Sequence, residues 1–219
     1  MRKIALLANH LPGVEVSRFL ALSREDSIHA LYLVGEDSGF YKETLEVANV
    51  ATGSVFIGNE IFRDLEHIKW FKSQNFDAII CVYWPWILSS DFFSNIPITV
   101  NFHPALLPIN RGWFPHVHSI IDGSPLGVTL HKLGEKADTG DIWVQKEIKI
   151  HETEGAKEIY DRLQIEIIEL FKDNWQKITS NRINCLKQDE SASNYHKKNE
   201  INVLDEFDLN ENMSFDSFI

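Results

Sequence analysis

Short apolar runs alternate with helical patterns through the first half of the chain. Short, mostly apolar runs at residues 3–8, 28–34 and 78–83 predict buried strands. Apolar residues recur at intervals of three or four over 14–22 and 60–74, which predicts an amphipathic helix in each range. Strands that alternate with helices in this way are typical of a parallel sheet covered on both faces.

Two further short strands are predicted at 55–57 and 98–102, whereas the polar stretch 36–54 carries no clear pattern. In open α/β sheets, ligands bind beyond the carboxyl ends of the strands. The carboxyl end of the 98–102 strand, where Asn101 and His103 lie, is therefore a candidate location for chemistry.

The second half of the chain begins with a loop and continues into two strands and a long helix. Residues 104–115 contain three prolines and one glycine, a composition that excludes a helix or a central strand. Strand patterns at 127–132 and 141–150 flank a loop rich in turn residues, and an amphipathic helix then runs to residue 178. We therefore predict one α/β domain over residues 1–180.

Residues 181–219 form a C-terminal extension that we expect to pack on the surface of this domain. Its last part, 189–219, holds eight acidic residues and two lysines, but it also contains several apolar residues such as Tyr195 and Val203. The apolar residues argue against a free acidic tail. We expect only the very end of the extension to be mobile.

Composition and charge restrict the class of partner. The chain has 219 residues, with 21 Lys or Arg against 32 Asp or Glu, which gives a formal net charge of −11. Because phosphate backbones need a clustered positive face, this balance argues against a nucleic-acid partner. No window approaches the ~18 uninterrupted apolar residues of a membrane span, and the first residues do not resemble a secretory signal. With Cys81 and Cys185 in no disulfide or metal-ligand pattern, we expect a protein of the reducing cytoplasm.

Polar residues with catalytic side chains are concentrated between positions 101 and 145. Asn101 and His103 are two residues apart, so in an extended backbone their side chains project to the same side. An amide and an imidazole that converge on one point suit stabilisation of an oxyanion with proton transfer. Asp138, in a glycine-punctuated loop, is the best candidate for a carboxylate that orients and charges the histidine. Taken alone, this spacing is weak evidence for a catalytic site, because most histidines at strand ends are structural.

Three other kinds of site are disfavoured. His116 and His118 follow a proline that is typical of a helix start, where the two rings would face different directions, so a zinc site is disfavoured. The turn after the first strand, residues 9–13, has one glycine, too few for a dinucleotide site. Cys81 lies inside an apolar strand and is interpreted as a core residue rather than a nucleophile.

An ordered set of motifs in this region resembles the formyltransferase family that uses N10-formyltetrahydrofolate. The set is much more specific than any single motif, and the resemblance covers residues 78–150 well and the first strand–helix units loosely. The segment 83–89 is similar to the family's folate-binding loop. The motifs are Asn101-Phe-His-Pro-Ala-Leu-Leu-Pro108, Arg111-Gly112, Gly127-Val-Thr-Leu-His131, Asp138-Thr-Gly-Asp-Ile142 and Gln145.

The resemblance implies a Rossmann-like formyltransferase domain, with a mostly parallel sheet and a short C-terminal extension. The family's catalytic asparagine, histidine and aspartate fall on Asn101, His103 and Asp138. By implication an amine attacks the formyl carbon, Asn101 and protonated His103 stabilise the oxyanion, and Asp138 keeps His103 charged. The co-substrate would be N10-formyltetrahydrofolate, and no metal is implied. The residues expected to contact this donor are Trp86, Ile87, Leu88, Lys136, Thr139 and Gly140.

Three branches of the family differ in the amine that they formylate. Methionyl-tRNA formyltransferases add a basic domain for the tRNA, and too few residues follow the core here to form one. Glycinamide ribonucleotide formyltransferases carry a phosphate loop after the first strand and lack a pair like Arg111-Gly112. The third branch formylates nucleotide-linked amino dideoxy sugars for surface polysaccharides such as lipopolysaccharide O-antigen, and the segments 111–116 and 188–196 resemble it most.

We therefore expect formyl transfer to a dTDP-linked amino-dideoxyhexose, with dTDP-4-amino-4,6-dideoxyglucose favoured. Glycinamide ribonucleotide is the runner-up, and a catalytically inactive folate- or nucleotide-binding module is the alternative from another class. The residues expected to bind the sugar nucleotide are Trp84, Arg111, Trp113, His116, Tyr195 and His196.

Several features of this assignment stay open in the sequence. Packing in a pocket wall explains Trp84 and Trp113 as well as sugar binding does. Members of this branch commonly dimerise, so a homodimer is one expectation, although the sequence carries no interface signal. The candidate cations for the diphosphate are Lys197, Lys198, Arg18 and Arg111.

Overall fold

A seven-stranded, mostly parallel sheet forms the middle of the protein, in a computed structural model that describes residues 1–149, 151 and 154–205. The strands are β1 (Arg2–Ala8), β2 (Asp26–Leu33), β3 (Val55–Ile57), β4 (Ala78–Val82), β5 (Ile98–His103), β6 (Arg111–Gly112), β7 (Gly127–His131), β8 (Ile142–Glu147) and β9 (Tyr195–His196). The order in the sheet is β3-β2-β1-β4-β5-β7-β8, and only the β5–β7 and β7–β8 pairs are antiparallel among its strands. β6 and β9 form a separate parallel pair. The predicted α/β fold is confirmed.

Helices cover both faces of the sheet because its central strands are apolar on both sides. In β1, Ile4 and Leu6 project into a cluster that contains Phe171, whereas Leu7 projects into the opposite cluster with Phe71. The helices are α1 (His10–Ala21), α2 (Tyr41–Ala48), α3 (Leu65–Ser73), α4 (Pro115–Asp122) and α5 (Ala156–Thr179). α1 and α5 pack on one face, and α3 packs on the other.

The single helix predicted over 60–74 is divided in the structure. A 3-10 helix spans Glu60–Arg63, and α3 begins only after Asp64. The Asp64 side chain accepts hydrogen bonds from the backbone N–H groups of Glu66 and His67, so this residue caps α3 instead of continuing the preceding turn. A periodic apolar pattern does not register such a cap, which is why the helix was predicted to be continuous.

Other boundaries also differ from the sequence pattern. α1 begins at His10, earlier than the predicted residue 14, and α2 lies inside the polar stretch 36–54. The strand predicted over 141–150 ends at Glu147. Residue 150 and the terminal segment 206–219, predicted to be mobile at its end, lie outside the described residues.

Within the described part of the chain, no helix is both long enough and apolar enough to cross a membrane. Cys81 is 2% exposed in β4, and burial raises the pKa of its thiol to about 12. A thiol with this pKa is a poor nucleophile at neutral pH, in agreement with the interpretation of Cys81 as a core residue.

A buried carboxylate at the start of β2 links the end of α5 to the sheet. Asp26 is 3% exposed and accepts hydrogen bonds from Arg2 Nε over 2.7 Å, from Ser23 Oγ over 2.7 Å and from Trp175 Nε1 over 3.1 Å. Trp175 is itself 2% exposed. Loss of the carboxylate would leave buried donors without an acceptor. The free-energy cost of such unpaired donors exceeds the net stabilisation that the hydrogen bonds contribute.

We predict that Asp26→Ala lowers the free energy of unfolding by about 3 kcal/mol, because it leaves the Trp175 N–H and the Arg2 guanidinium without their partner. Urea unfolding followed by fluorescence measures the change. Glu25→Ala is the matched control, since Glu25 pairs with the same arginine but is 61% exposed, and it should cost well under 1 kcal/mol. Equal effects of the two substitutions would contradict the importance of the buried site.

Candidate active site

A cavity of about 510 Å³ opens beyond the carboxyl ends of β1, β4 and β5. Asn9 and His10 follow β1, the loop of residues 83–88 follows β4, and His103 ends β5. Residues 112–116 and the loop after β7 form the other side of the cavity. The cavity therefore lies where ligands bind in open α/β sheets.

The register between β5 and β7 brings two polar side chains together at this edge. Asn101 pairs with His131 across the antiparallel strands, and directly opposed residues project to the same face. His131 Nδ1 donates to the backbone carbonyl of Lys132 over 2.7 Å, which leaves Nε2 to accept the Asn101 amide over 3.0 Å. His103, two residues after Asn101, projects to the same face.

The Asp138 carboxylate lies among these three side chains. Its Oδ2 accepts the backbone N–H of Gly112 over 2.9 Å, and its Oδ1 accepts the Asn101 amide over 3.2 Å. His103 Nδ1 is 3.5 Å from Oδ2, and His131 Nε2 is 3.4 Å from Oδ1. Burial alone would raise the pKa of Asp138, but the charge of His103 and the hydrogen bond from the Gly112 N–H outweigh burial and hold the pKa well below its ordinary value. The carboxylate is therefore ionised at neutral pH.

His103 is 4% exposed and has an acceptor at each ring nitrogen. Nε2 donates to the backbone carbonyl of Asn110 over 2.8 Å, and Nδ1 faces Asp138. Burial lowers the pKa of His103, and the charge of Asp138 opposes that shift. A ring between two acceptors can take up a second proton and keep both contacts, so this arrangement can hold and release a proton at the cavity wall.

The spacing of Asn101 and His103 predicts side chains that converge on one point, and in the structure the Asp138 carboxylate occupies that point. The Asn101 amide donates to Asp138 and His131 rather than to His103. His131 is absent from the residues predicted for the site. A signal was present, because His131 ends the motif 127–131 on the strand that pairs with β5.

Backbone conformation at three positions brings the surrounding loops close to this carboxylate. Asp138 itself has a φ of 56°, in the left-handed region. A Cβ atom at Gly140 would lie 1.8 Å from the carbonyl oxygen of Lys132, and one at Gly112 would lie 2.3 Å from that of His196. Only glycine allows these two approaches, and Gly112 also has a φ of 91°.

The C-terminal extension contacts the two loops that carry Asp138 and Asn110. Gln188 Nε2 donates to the backbone carbonyl of Asp138 over 2.7 Å, and Gln188 Oε1 accepts from Arg111 over 2.7 Å. Asn194 exchanges hydrogen bonds with Asn110, accepting its backbone N–H and donating to its side chain over 3.0 Å. The extension therefore contacts Asp138 and also Asn110, whose backbone carbonyl accepts a hydrogen bond from His103.

The residues predicted to contact the folate donor divide into two groups. Residues 86–88 and Lys136 line the cavity. Thr139 and Gly140 are not among its lining residues; they support the loop instead, with Thr139 Oγ1 donating to the Lys136 carbonyl over 3.0 Å and Gly140 packed against Lys132.

The residues predicted to bind the sugar nucleotide also form two groups, those that line the cavity and those that do not. Arg111 is buried and directs its guanidinium to Gln188 and to Glu190, which it contacts over 2.8 Å, and it does not line the cavity. His196 stacks on His118 at a centroid distance of 3.5 Å, also outside the cavity lining. The residues that do line the cavity are Trp84, Trp113, His116 and Tyr195.

Three buried polar atoms of cavity-lining residues have no hydrogen-bond partner in the described part of the chain: Tyr83 Oη, Trp84 Nε1 and His116 Nδ1. Burial lowers the pKa of His116 to about 4, so its ring is neutral at neutral pH, and it packs against Tyr160 at 4.8 Å. Unpaired neutral donors and acceptors suit a polar, uncharged part of a ligand, such as a sugar ring.

Tyr83, Tyr160 and His10 also line the cavity but are absent from the predicted site. Tyr83 and His10 could have been found, because Tyr83 is the last residue of the predicted strand 78–83 and His10 lies two residues after the predicted strand 3–8. Tyr160 lies within the pattern of a long helix, and nothing in the sequence links that helix to the cavity.

Several proteins resemble this chain in sequence or in structure. The dTDP-4-amino-4,6-dideoxyglucose formyltransferase of Mycobacterium tuberculosis is 36% identical over 120 residues, which are 55% of this chain and 51% of that protein. This chain therefore spans about half the length of that relative. A sugar N-formyltransferase from Shewanella sp FDAARGOS_354 has the same fold, with a TM-score of 0.78 and 22% identity over 98% of this chain and 84% of its own.

A further structure is that of the formyltransferase PseJ from Anoxybacillus kamchatkensis, in complex with UDP-4,6-dideoxy-4-formamido-L-AltNAc and tetrahydrofolate. It has a TM-score of 0.64 and 25% identity, covering 92% of this chain and 88% of that protein.

Residues 41–171 match the protein family described as formyl transferase. The match covers more than half of the chain and includes β4, β5 and β7 with Asn101, His103, His131 and Asp138. The chain belongs to the formyl transferase family.

Proposed function

We propose that this protein transfers the formyl group of N10-formyltetrahydrofolate to the amine of a nucleotide-linked amino sugar. We favour dTDP-4-amino-4,6-dideoxyglucose as the acceptor and a role in the synthesis of surface polysaccharides. The observation that carries the proposal is the group of Asn101, His103 and Asp138, which contact one another at the wall of a cavity in a formyl transferase. The name of the mycobacterial relative and the ligands of PseJ support the acceptor and donor classes.

The proposed reaction is a direct attack of the acceptor amine on the formyl carbon. The new N–C bond forms, the formyl oxygen becomes an oxyanion, and the bond from carbon to the N10 nitrogen of the folate then breaks. The amine loses one proton, and N10 gains one. Asn101 would donate to the oxyanion by exchanging one of its acceptors within the protein for the formyl oxygen.

His103 would carry the proton, and Asp138 would balance the positive charge of the protonated ring. The protonated ring would stabilise the oxyanion and keep its Nε2 bond to Asn110, while the Asp138 carboxylate would balance the positive charge. Because Asp138 is held by the Gly112 N–H and by Asn101, it would do so without moving. A rigid carboxylate costs no reorganisation when charge develops.

The two sides of the cavity suggest where the co-substrates bind. On the donor side, residues 86–88 and Lys136 line the wall, and we propose that the folate ring system contacts this loop; Thr139 and Gly140 would act by shaping it. On the acceptor side, Trp84, Trp113, His116 and Tyr195 would surround the sugar. The unpaired Trp84 Nε1 and His116 Nδ1 atoms fit hydroxyl groups there.

For the diphosphate we favour Lys198, whose Nζ lies 4.9 Å from the ring of Trp113 at the cavity. Arg18 and Arg111 are less suitable because each already pairs with a carboxylate, Glu15 and Glu190 respectively. Arg111 and His196 would act on the acceptor only indirectly, through the extension. We keep the cytoplasm as the proposed location, and the free thiols of Cys81 and Cys185 agree with it.

A formyl-transfer assay read by mass spectrometry tests the proposal. The donor is N10-formyltetrahydrofolate, and the acceptors are dTDP-linked 4-amino and 3-amino dideoxyhexoses, glycinamide ribonucleotide and charged initiator tRNA. We expect one formyl group on one sugar nucleotide. Formylation of glycinamide ribonucleotide or of the tRNA would overturn the acceptor class but keep the catalytic group. No product with any acceptor would favour an inactive binding module.

We predict that Asp138→Asn lowers kcat by about 100-fold or more, because the substitution keeps the shape and removes the charge. Asp138 raises the pKa of His103, so its loss lowers that pKa. The activity that depends on the protonated ring should then disappear at a lower pH than in the wild type. Asp141→Asn, in the same loop, is the control and should leave the pH profile unchanged. A wild-type profile in Asp138→Asn would remove this carboxylate from the mechanism.

We predict that Gln188→Ala lowers kcat by about tenfold and leaves the KM for both substrates within a factor of two, because Gln188 positions the Asp138 loop without lining the cavity. The pH profile should move in the same direction as in Asp138→Asn, a shift that loss of stability alone would not produce. Lys187→Ala, at the exposed neighbouring position, is the control. An unchanged kcat would limit Gln188 to a structural role.

A further inference from the structure

A cluster of three metal-ligating side chains lies where the C-terminal extension meets α4, outside the cavity. His118 is on α4, His196 is on β9, and Glu200 is in the 3-10 helix Lys198–Asp205. One ligand atom from each residue lies within 4.8 Å of the other two. The two rings stack with an interplanar angle of 9°, and His196 Nδ1 is 2.9 Å from Glu200 Oε2.

The polar atoms of this cluster are incompletely paired. His118 Nε2 is buried and has no hydrogen-bond partner among the residues that the structure describes. His196 Nε2 lies 3.1 Å from Asn110 Oδ1, which can accept a hydrogen, and 3.3 Å from Asn194 Nδ2, which can donate one, so this nitrogen has a partner in either tautomer. In the tautomer that donates to Asn110, Nδ1 presents its lone pair to a Glu200 oxygen, and a proton or a cation must then lie between them.

The donor set and its surroundings match a divalent transition-metal site. Two imidazoles and one carboxylate are the ligands of many zinc sites, with a further position open to solvent. Histidines that bind a metal through one nitrogen usually donate from the other to a fixed oxygen, which is the role that Asn110 Oδ1 fits here. Zinc ligand atoms lie roughly 3.3 Å apart, so His118 would have to rotate out of its stack on His196, and the 40%-exposed Glu200 would have to turn, to complete the set.

We propose that His118, His196 and Glu200 bind one zinc-class divalent cation, which fastens the C-terminal extension to α4. This site is formed by the fold and not by sequence spacing, because its first two ligands are far apart in the chain. That separation is why a search for metal motifs predicts none. The proposal does not depend on the proposed function.

Bound metal would also act on the catalytic loop through Asn110. The side chain of Asn110 contacts His196 and Asn194, and its backbone carbonyl accepts from the catalytic His103. Asn110 is fully buried and has a φ of 57°, so its position depends on these contacts. A cation that fixes His196 would therefore restrict the residue that orients His103.

Metal binding by the full chain tests the proposal directly. The chelator-treated protein is titrated with zinc chloride by calorimetry, and with Co²⁺, whose visible absorption reports tetrahedral coordination. We expect one equivalent to bind and the thermal midpoint to rise. His118→Gln and Glu200→Gln should each weaken binding by about tenfold or more and remove the rise in midpoint.

His151→Gln is the control for adventitious binding, because His151 is exposed and lies outside the cluster. It should leave the affinity unchanged. Absence of one-to-one binding in the wild type would overturn the proposal and identify the cluster as a proton-bridged pair. Binding that survives both His118→Gln and Glu200→Gln would also overturn it, because the metal would then sit elsewhere.

Discussion

The candidate active site depends on the contacts that keep the carboxylate of Asp138 ionised. The Asp138 side chain is 11% exposed, and it remains charged because the Gly112 N–H, the Asn101 amide and His103 surround it. The segments that meet here are far apart in the chain: Gly112 belongs to β6, Asn101 and His103 belong to β5, and His131, which accepts from Asn101, belongs to β7. An uncompensated charge at this depth would be costly, so the carboxylate and its partners constrain one another.

The same constraint explains the contacts that surround the site. Asp138 has a left-handed backbone conformation, and its loop lies so close to β7 that Gly140 cannot carry a side chain. Gln188 then fixes the loop from outside, through the carbonyls of Asp138 and Gly140. The C-terminal extension therefore supports the loop that carries Asp138, although only one of its predicted site residues, Tyr195, lines the cavity.

The features that follow from short-range rules were predictable from the sequence. The alternation of apolar runs predicts the sheet, and the spacing of Asn101 and His103 predicts a shared face at the end of β5. Features that depend on pairing between distant parts of the chain were not predictable. The hydrogen bond between Asn101 and His131, for example, needs the antiparallel register of β5 and β7. The ion pair between the buried Arg111 and Glu190 likewise follows from the path of the extension. The sequence around Arg111 alone suggests only a cation that is free to bind a ligand.

A crystal structure of the protein with a stable folate analogue and a nucleotide-linked amino sugar tests the central claim most directly. The proposed function predicts that the formyl-bearing nitrogen of the folate and the amine of the sugar meet beside Asn101 and His103, with reacting atoms about 3–3.5 Å apart. It also predicts that Asp138 keeps its bond to the Gly112 N–H. Folate bound away from residues 86–88, or an amine that enters far from Asp138, would contradict the proposed site.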